Sequence, residues 1–157
     1  MTDIYSSVQG ILDAQLNSVV AAENLNLSTP LAVFREDAVM NKDNLQRPWI
    51  RSFHLPAKSW QQSIGLNGTA RYNGIFQIDI YRPKGFGWDA EGTQVLNATA
   101  IGDAVIRAFR TGTSLTTSGV TVHITASYRN PSMQDLDSKY YRVSISVDWF
   151  SVLDVSQ

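Results

Sequence analysis

The chain has 157 residues, 43% of them hydrophobic, which is the length of one domain with a core of its own. Only 17% are charged, below the ~25% of ordinary soluble domains, and the formal net charge is -1 with no basic run. These values exclude an electrostatic grip on nucleic acid, and the lack of cysteine excludes disulfides, thiolate metal sites and a cysteine nucleophile.

The first predicted element is an amphipathic helix. Ile4, Val8, Ile11, Leu12, Leu16, Val19 and Val20 recur at helical spacing, with Ser6, Gln9, Asp13 and Asn17 on the polar side. Thr2 or Asp3 can cap its start. The opening MTDIYSSVQG has neither a basic n-region nor an apolar h-region, so no signal peptide is expected. No apolar run approaches the ~20 residues that span a bilayer, so no membrane association is expected. The stretch from Asn24 to Pro30, NLNLSTP, breaks the helix.

A short strand from Leu31 to Arg35 follows, then a polar loop from Glu36 to Pro48 with Asn41, Asp43 and Asn44. The next strand, Trp49 to Leu55, sets Trp49, Arg51, Phe53 and Leu55 on one face and Ile50, Ser52 and His54 on the other. Pro56 bounds it, and Lys58 to Asn73 reads as a second polar connection. Both long connections are expected to be mobile in an isolated subunit, over Asp37 to Arg47 and Ser63 to Asn73, and to be ordered by a partner. Then comes the most informative stretch, RYNGIFQIDIYRPKGFG from Arg71 to Gly87. Phe76, Ile78 and Ile80 point one way, and Gln77, Asp79 and Tyr81 point the other. Pro83 ends this strand because it has no N–H for a ladder, and Gly85 and Gly87 permit a sharp loop.

A second helix carries Val95, Ala98, Ile101, Val105, Ile106 and Phe109 on its apolar stripe. Gly112 sits past its end, where a left-handed cap belongs. Gly102 lies inside it, at a cost of roughly 1 kcal/mol relative to alanine unless close packing demands a small residue. Val120, Val122, Ile124, Ala126 and Tyr128 alternate as a strand, Asn130 to Ser138 is a turn region, and Val143, Ile145, Val147 and Trp149 alternate as the last strand opposite Arg142, Ser144, Ser146 and Asp148.

The order of helix, three strands, helix and two strands predicts an α+β fold over residues 1–157: one twisted, mainly antiparallel sheet with both helices packed on one face. Val8, Leu12, Leu16, Phe76, Ile78, Ile80, Val105, Phe109, Val122, Ile124, Val143, Ile145 and Val147 form the expected core. The other face would show Gln77, Asp79, Tyr81, Arg142, Ser144 and Asp148, a wet face or an interface.

No catalytic constellation emerges. His54 and His123 both sit within strand patterns, and neither is joined by a nucleophilic elbow of the G-x-S-x-G kind. No histidine pair has metal spacing, and Asp135 and Asp137 lack the rest of a calcium loop. Gly85 to Gly87 is not a dinucleotide fingerprint, since Ala90 stands where the third glycine belongs. No cofactor is expected. Of four tryptophans, Trp49 and Trp149 fit core positions, while Trp60 and Trp88 read as lids over the core or as interface anchors.

The whole pattern resembles the tail terminator, or tail completion, proteins of long-tailed phages with non-contractile tails. The residues that carry the resemblance are Pro48 and Trp49, the strand ending in Leu55 and Pro56, the run NGIFQIDIYRPKGFG, and the helix closing on VIRAF at Phe109. The resemblance implies a structural virion protein with no enzymatic activity. It implies a homo-hexameric ring that caps the head-proximal end of the tail tube, ends its polymerisation and offers a surface for head attachment. Implied partners are further copies of itself, the tail tube protein, a head connector or completion protein and the tape measure protein. DNA would pass through without being read, and assembly would take place in the host cytoplasm. The regions expected to meet partners are the loop from Glu36 to Pro48, the connection from Trp60 to Asn73 and the loop from Arg82 to Trp88. Within and beside them the candidate interface residues are Asp43, Arg47, Trp60, Arg71, Tyr72, Arg82, Lys84, Phe86 and Trp88. Two other readings stay open: another neck or connector protein of the virion, and a small-molecule enzyme or binding domain.

Overall fold

Alternating apolar residues in the middle and at the end of the chain produce two fifteen-residue strands that pair along their whole length. The computed structural model describes residues 4–24, 31–35, 49–58, 60–61, 68–83, 98–130, 133–134 and 140–154. In chain order the elements are α1 (Ile4–Asn24), β1 (Ala32–Arg35), β2 (Trp49–Pro56), β3 (Trp60–Gln61), β4 (Thr69–Pro83), α2 (Ala98–Ala108), β5 (Ser114–Thr117), β6 (Val120–Arg129), β7 (Met133–Gln134) and β8 (Tyr140–Asp154).

One sheet runs in the order β1-β2-β4-β8-β6-β5, with β3 also pairing β4 and β7 pairing β8. Every pairing is antiparallel except β1 with β2, which is parallel. Register assigns the faces. Phe76, Ile78 and Ile80 stand opposite Val147, Ile145 and Val143 on β8, and opposite His54, Ser52 and Ile50 on β2. Both helices pack on this face. Val8, Leu12 and Leu16 of α1 and Ile101 and Val105 of α2, with Phe109 just beyond, join those strand residues in one buried cluster. All thirteen residues of the expected core are buried, and the α+β arrangement stands as the alternation implied.

Two glycines are there because of close packing. A Cβ on Gly74 would lie 2.8 Å from the Leu55 carbonyl oxygen and 2.9 Å from the Trp149 ring, so the indole occupies the space that any side chain would need. In α2, a Cβ on Gly102 would meet Val143 at 3.2 Å and Ile145 at 3.4 Å, which brings the helix backbone down onto β8. The interior glycine of the second helix thus has its packing reason.

Several expectations need correction. Residues 69–73 are not loop: they begin β4, so this part of the expected mobile connection is held in a ladder from Thr69 opposite Asp154 onward. The two-residue strand β3 pairs with it, Trp60 opposite Arg71. The hairpin of β5 and β6 adds a strand to those expected; its turn holds Ser118 at φ 52° and Gly119 at φ 82°, the left-handed pair that tight hairpins use. Gly112 does adopt a left-handed φ of 88°, but four residues past α2, where its N–H donates to the Ile124 carbonyl and turns the chain toward β5. Trp49 is buried, but on the face away from the helices, stacked on Tyr81 with centroids 3.9 Å apart. The register of β6 shifts between Ile124 and Ala126. This bulge turns Ala126 and Tyr128 to the far face, against the expected run from Val120, and turns Arg129 to the helix side, where it pairs with Asp103 of α2. Asp13 is not on the polar side of α1 but buried at 7% exposure. The helix cap at Thr2 or Asp3, Val95 and the loop over Asp37 to Arg47 lie outside the described residues.

Phe109 is fully buried and meets Phe76 edge-on at 5.8 Å. Phe109→Ala is expected to lower the unfolding free energy by about 3–5 kcal/mol in a urea titration. An unchanged midpoint would remove Phe109 from the core.

Candidate interface surface

The face of the sheet away from the helices divides into two parts. Toward the β4 C-terminus, Asp79, Ser144 and Ser146 are buried. They are joined by side-chain bonds: Gln77 Nε2 donates to Asp79 Oδ1 at 3.2 Å and to Ser144 Oγ at 3.4 Å, and Asn130 Nδ2 donates to Ser146 Oγ at 2.9 Å and to Ser144 Oγ at 3.3 Å. Arg142 stands 4.0 Å from Asp79. The expectation that these residues form a wet face therefore fails at its centre, where they are a buried, mutually satisfied polar group.

The other part is open. The three exposed large hydrophobics among the described residues, Leu55, Tyr128 and Val152, all belong to this face. Phe150 lies among them, stacked on His123 at 4.8 Å, and the Arg71 guanidinium sits over the Phe150 ring, 4.0 Å from its centroid. His123 Nδ1 is 2.9 Å from Ser114 Oγ on the neighbouring strand. Beside this stack is a cavity of about 290 Å³ lined by Arg71, Asn73, Ile75, Thr125, Asp148 and Trp149, with Ala57 and Gly74 completing it. The β6 bulge places Thr125 at its rim, where the hydroxyl donates to the Asp148 carbonyl at 3.2 Å. Aromatic residues and arginine without lysine are the composition that buried protein contacts favour. Among the described strand residues, the cations on this face, Arg51, Arg71 and Arg142, are all arginine.

The residues singled out from sequence do not form one site. Arg71 and Tyr72 are neighbours in β4 on opposite faces. Tyr72 packs on the helix side, edge-on to Tyr5 at 5.6 Å, so it serves the fold. Arg71 is on the open part of the far face, with the backbone of Trp60 opposite it across β3. Arg82 lies eleven residues along the same strand, roughly 35 Å away at ~3.3 Å per residue, with its guanidinium 5.3 Å from the Tyr141 ring centroid. Asp43, Arg47, Lys84, Phe86 and Trp88 lie outside the described residues.

A second polar cluster, with no signal in the sequence, ties α1 to the sheet. Asp13 Oδ1 is 3.0 Å from His54 Nε2, and its other oxygen is 3.4 Å from Arg35 Nε. The imidazole is stacked on Phe76 at 4.5 Å and 13°. A carboxylate and an imidazole so placed resemble part of a catalytic set. Here both are nearly closed off, at 10% and 12% side-chain exposure, between a helix and a strand. Their chemistry is cohesion: α1 is fixed against β1 and β2 at its middle, as Tyr5 fixes its start by donating to the Ala57 carbonyl at 3.0 Å. Gln15 fixes α1 to α2, donating to the Ala108 carbonyl at 3.1 Å, one of the groups a helix end leaves open.

Among the described residues no group of three or more acidic or histidine side chains could hold a metal ion. No helix there is long and apolar enough to cross a membrane. The family model described as phage tail terminator protein matches residues 8–149, from α1 to the Trp149 that fills the space over Gly74. No curated protein matches the chain.

Asp13→Ala is expected to cost about 1–3 kcal/mol, because it leaves the buried His54 without its acceptor. Arg35→Ala is expected to cost under about 1 kcal/mol, since that side chain is largely in solvent. Chemical denaturation of the two variants checks the order. Equal losses would show that the Arg35 contact, and not the imidazole bond, holds the helix.

Proposed function

We propose a role that proceeds from one fact: the chain belongs to the phage tail terminator family. It is a structural component of a phage tail. In the proposed role, copies of the chain form a homo-hexameric ring on the head-proximal end of the tail tube. The ring stops further addition of tube subunits and presents its upper surface to a head connector or completion protein. It works by assembly and not by turnover. DNA passes through the ring without sequence being read, and the tape measure protein is a further partner at the moment of termination. The ring is built in the host cytoplasm and stays in the virion.

The observation that carries this reading is the open part of the far face. A chain with only 17% charged residues leaves Leu55, Tyr128 and Val152 exposed on one side of one sheet, around an arginine-on-aromatic stack. Exposed apolar residues on one sheet face, with arginine laid on an aromatic ring among them, have the composition of a protein-binding surface. A ring needs a head-to-tail interface, in which two different patches of each subunit meet. A sheet with helices on one side and this surface on the other supplies patches of different kinds.

The test is a phage lacking this protein. Its tail tubes are expected to grow past normal length and to remain unjoined to heads, and added protein should cap purified tubes at one end in negative-stain images. Headless tails of normal length would instead make the chain a connector that acts after termination. Turnover of a small substrate, abolished by one substitution in a cleft, would move it to an enzyme class.

A further inference from the structure

We infer that the cavity on the far face receives the guanidinium of Arg110 from a second copy of this chain. The inference rests on the ring reading above and names the contact that would build the ring.

The first ground is the pair of acceptors in the cavity wall. Asp148 Oδ1 and Asn73 Oδ1 are buried and have no hydrogen-bond partner among the described residues. A carboxylate oxygen withdrawn from water without a donor is costly, so the site is made for one. Only a donor can satisfy it, because both atoms are acceptors.

The second ground is size and wall chemistry. At about 290 Å³ the cavity holds many times the ~10–15 Å³ that one water requires, so it admits a side chain. Ile75 gives it an apolar wall beside the two acceptors. A planar, weakly hydrated guanidinium suits this combination. Its face lies against carbon and its fork of donors reaches two oxygens, which a compact, strongly hydrated ammonium does less well. Arg71 also lines the cavity, but its guanidinium is laid over Phe150, where the aromatic face receives its charge.

The third ground is the donor and its place. Arg110 is exposed, and its side chain makes no ion pair among the described residues. It stands in the turn that leads from α2 to β5, the last strand of the sheet on that side. Asp148 and Arg110 are therefore complementary charges on two different patches, one on a face and one at an edge. A contact between two different patches is head-to-tail, and it generates a ring where the rotation from copy to copy closes.

The experiment exchanges the charges. Asp148→Arg and Arg110→Asp are made separately, and each is first shown by circular dichroism to melt as a folded protein. Each variant alone brings like charges together at every contact and is expected to sediment as a monomer where the wild type forms rings. Mixed in equal amounts, the two are expected to recover rings, because alternating copies restore one arginine against one aspartate at every contact. If Asp148→Arg fails to fold, Asp148→Asn keeps the shape. It is then expected to raise the concentration at which rings form by at least about tenfold. Rings formed by either charge-exchange variant alone, or no recovery in the mixture, would overturn the contact while leaving the ring reading in place. So would an Asp148→Arg ring that assembles normally but no longer binds purified tail tubes, which would give the cavity to the tube protein. A wild-type chain that stays monomeric with and without tubes would overturn both.

Discussion

The pairing of β4 with β8 is the constraint on which the rest of the molecule depends. Fifteen residues face fifteen, without a register shift, from Thr69 opposite Asp154 to Pro83 opposite Tyr140. Side chains alternate between faces, so a slip of one residue would exchange the two faces completely. Phe76, Ile78 and Ile80 would leave the helices, and Gln77 and Asp79 would enter the core. The fit of Trp149 over Gly74 resists that slip, because only the native register brings the indole to the one β4 position without a side chain. The same register places Arg71, Asn73, Ile75 and Asp148 together on the far side. The core and the candidate interface are thus two consequences of one ladder.

Much of this is legible in the sequence, for a specific reason. Strands buried on one side must alternate, and β4 and β8 do so over Phe76 to Tyr81 and Arg142 to Trp149, which also yields the core and the α+β class. What the sequence hides is set by partners distant in the chain. Four residues of β1 say nothing about their direction relative to β2, and the parallel pairing is decided by how the chain returns. Asp13 looks like a solvent residue on a helical wheel, because the imidazole and guanidinium that surround it come from residues 54 and 35. The β6 bulge has no marker: Thr125 is an ordinary strand residue, and one added residue reverses Ala126 and Tyr128. The hairpin turn at Ser118 and Gly119 does carry a signal, a serine–glycine pair between Thr-rich runs, which is enough to place β5.

The candidate site is less legible than the fold. Residue type and location in presumed loops pick out Arg71, which lies on the open part of the far face although in a strand. The same criteria also pick out Tyr72, whose ring packs on the helix side against Tyr5. Asn73 and Phe150 do not stand out in the sequence, and Asp148 does so only as one of six residues of a wet face or an interface, since each is ordinary until the ladder sets it beside the others. A site made by cross-strand neighbours has no spacing in sequence by which to recognise it.

The division of the sheet also explains how a chain with a closed core can still present an unfinished surface. The helix side holds the large apolar side chains, with Asp13, His54, Gln15 and Tyr5 locking the helices to the strands and to each other. The far side is closed where Gln77, Asp79, Ser144, Ser146 and Asn130 satisfy one another and where Trp49 stacks on Tyr81. Beyond that group, toward the Thr69 end of β4, Leu55 and Val152 remain in water, as does Tyr128 beside Ser146. Substitutions there remove less buried apolar area than substitutions on the helix side, so they disturb the fold less. The preference for arginine on this face fits the same logic. A guanidinium can be removed from water onto an aromatic ring, as Arg71 on Phe150 already shows within a single copy.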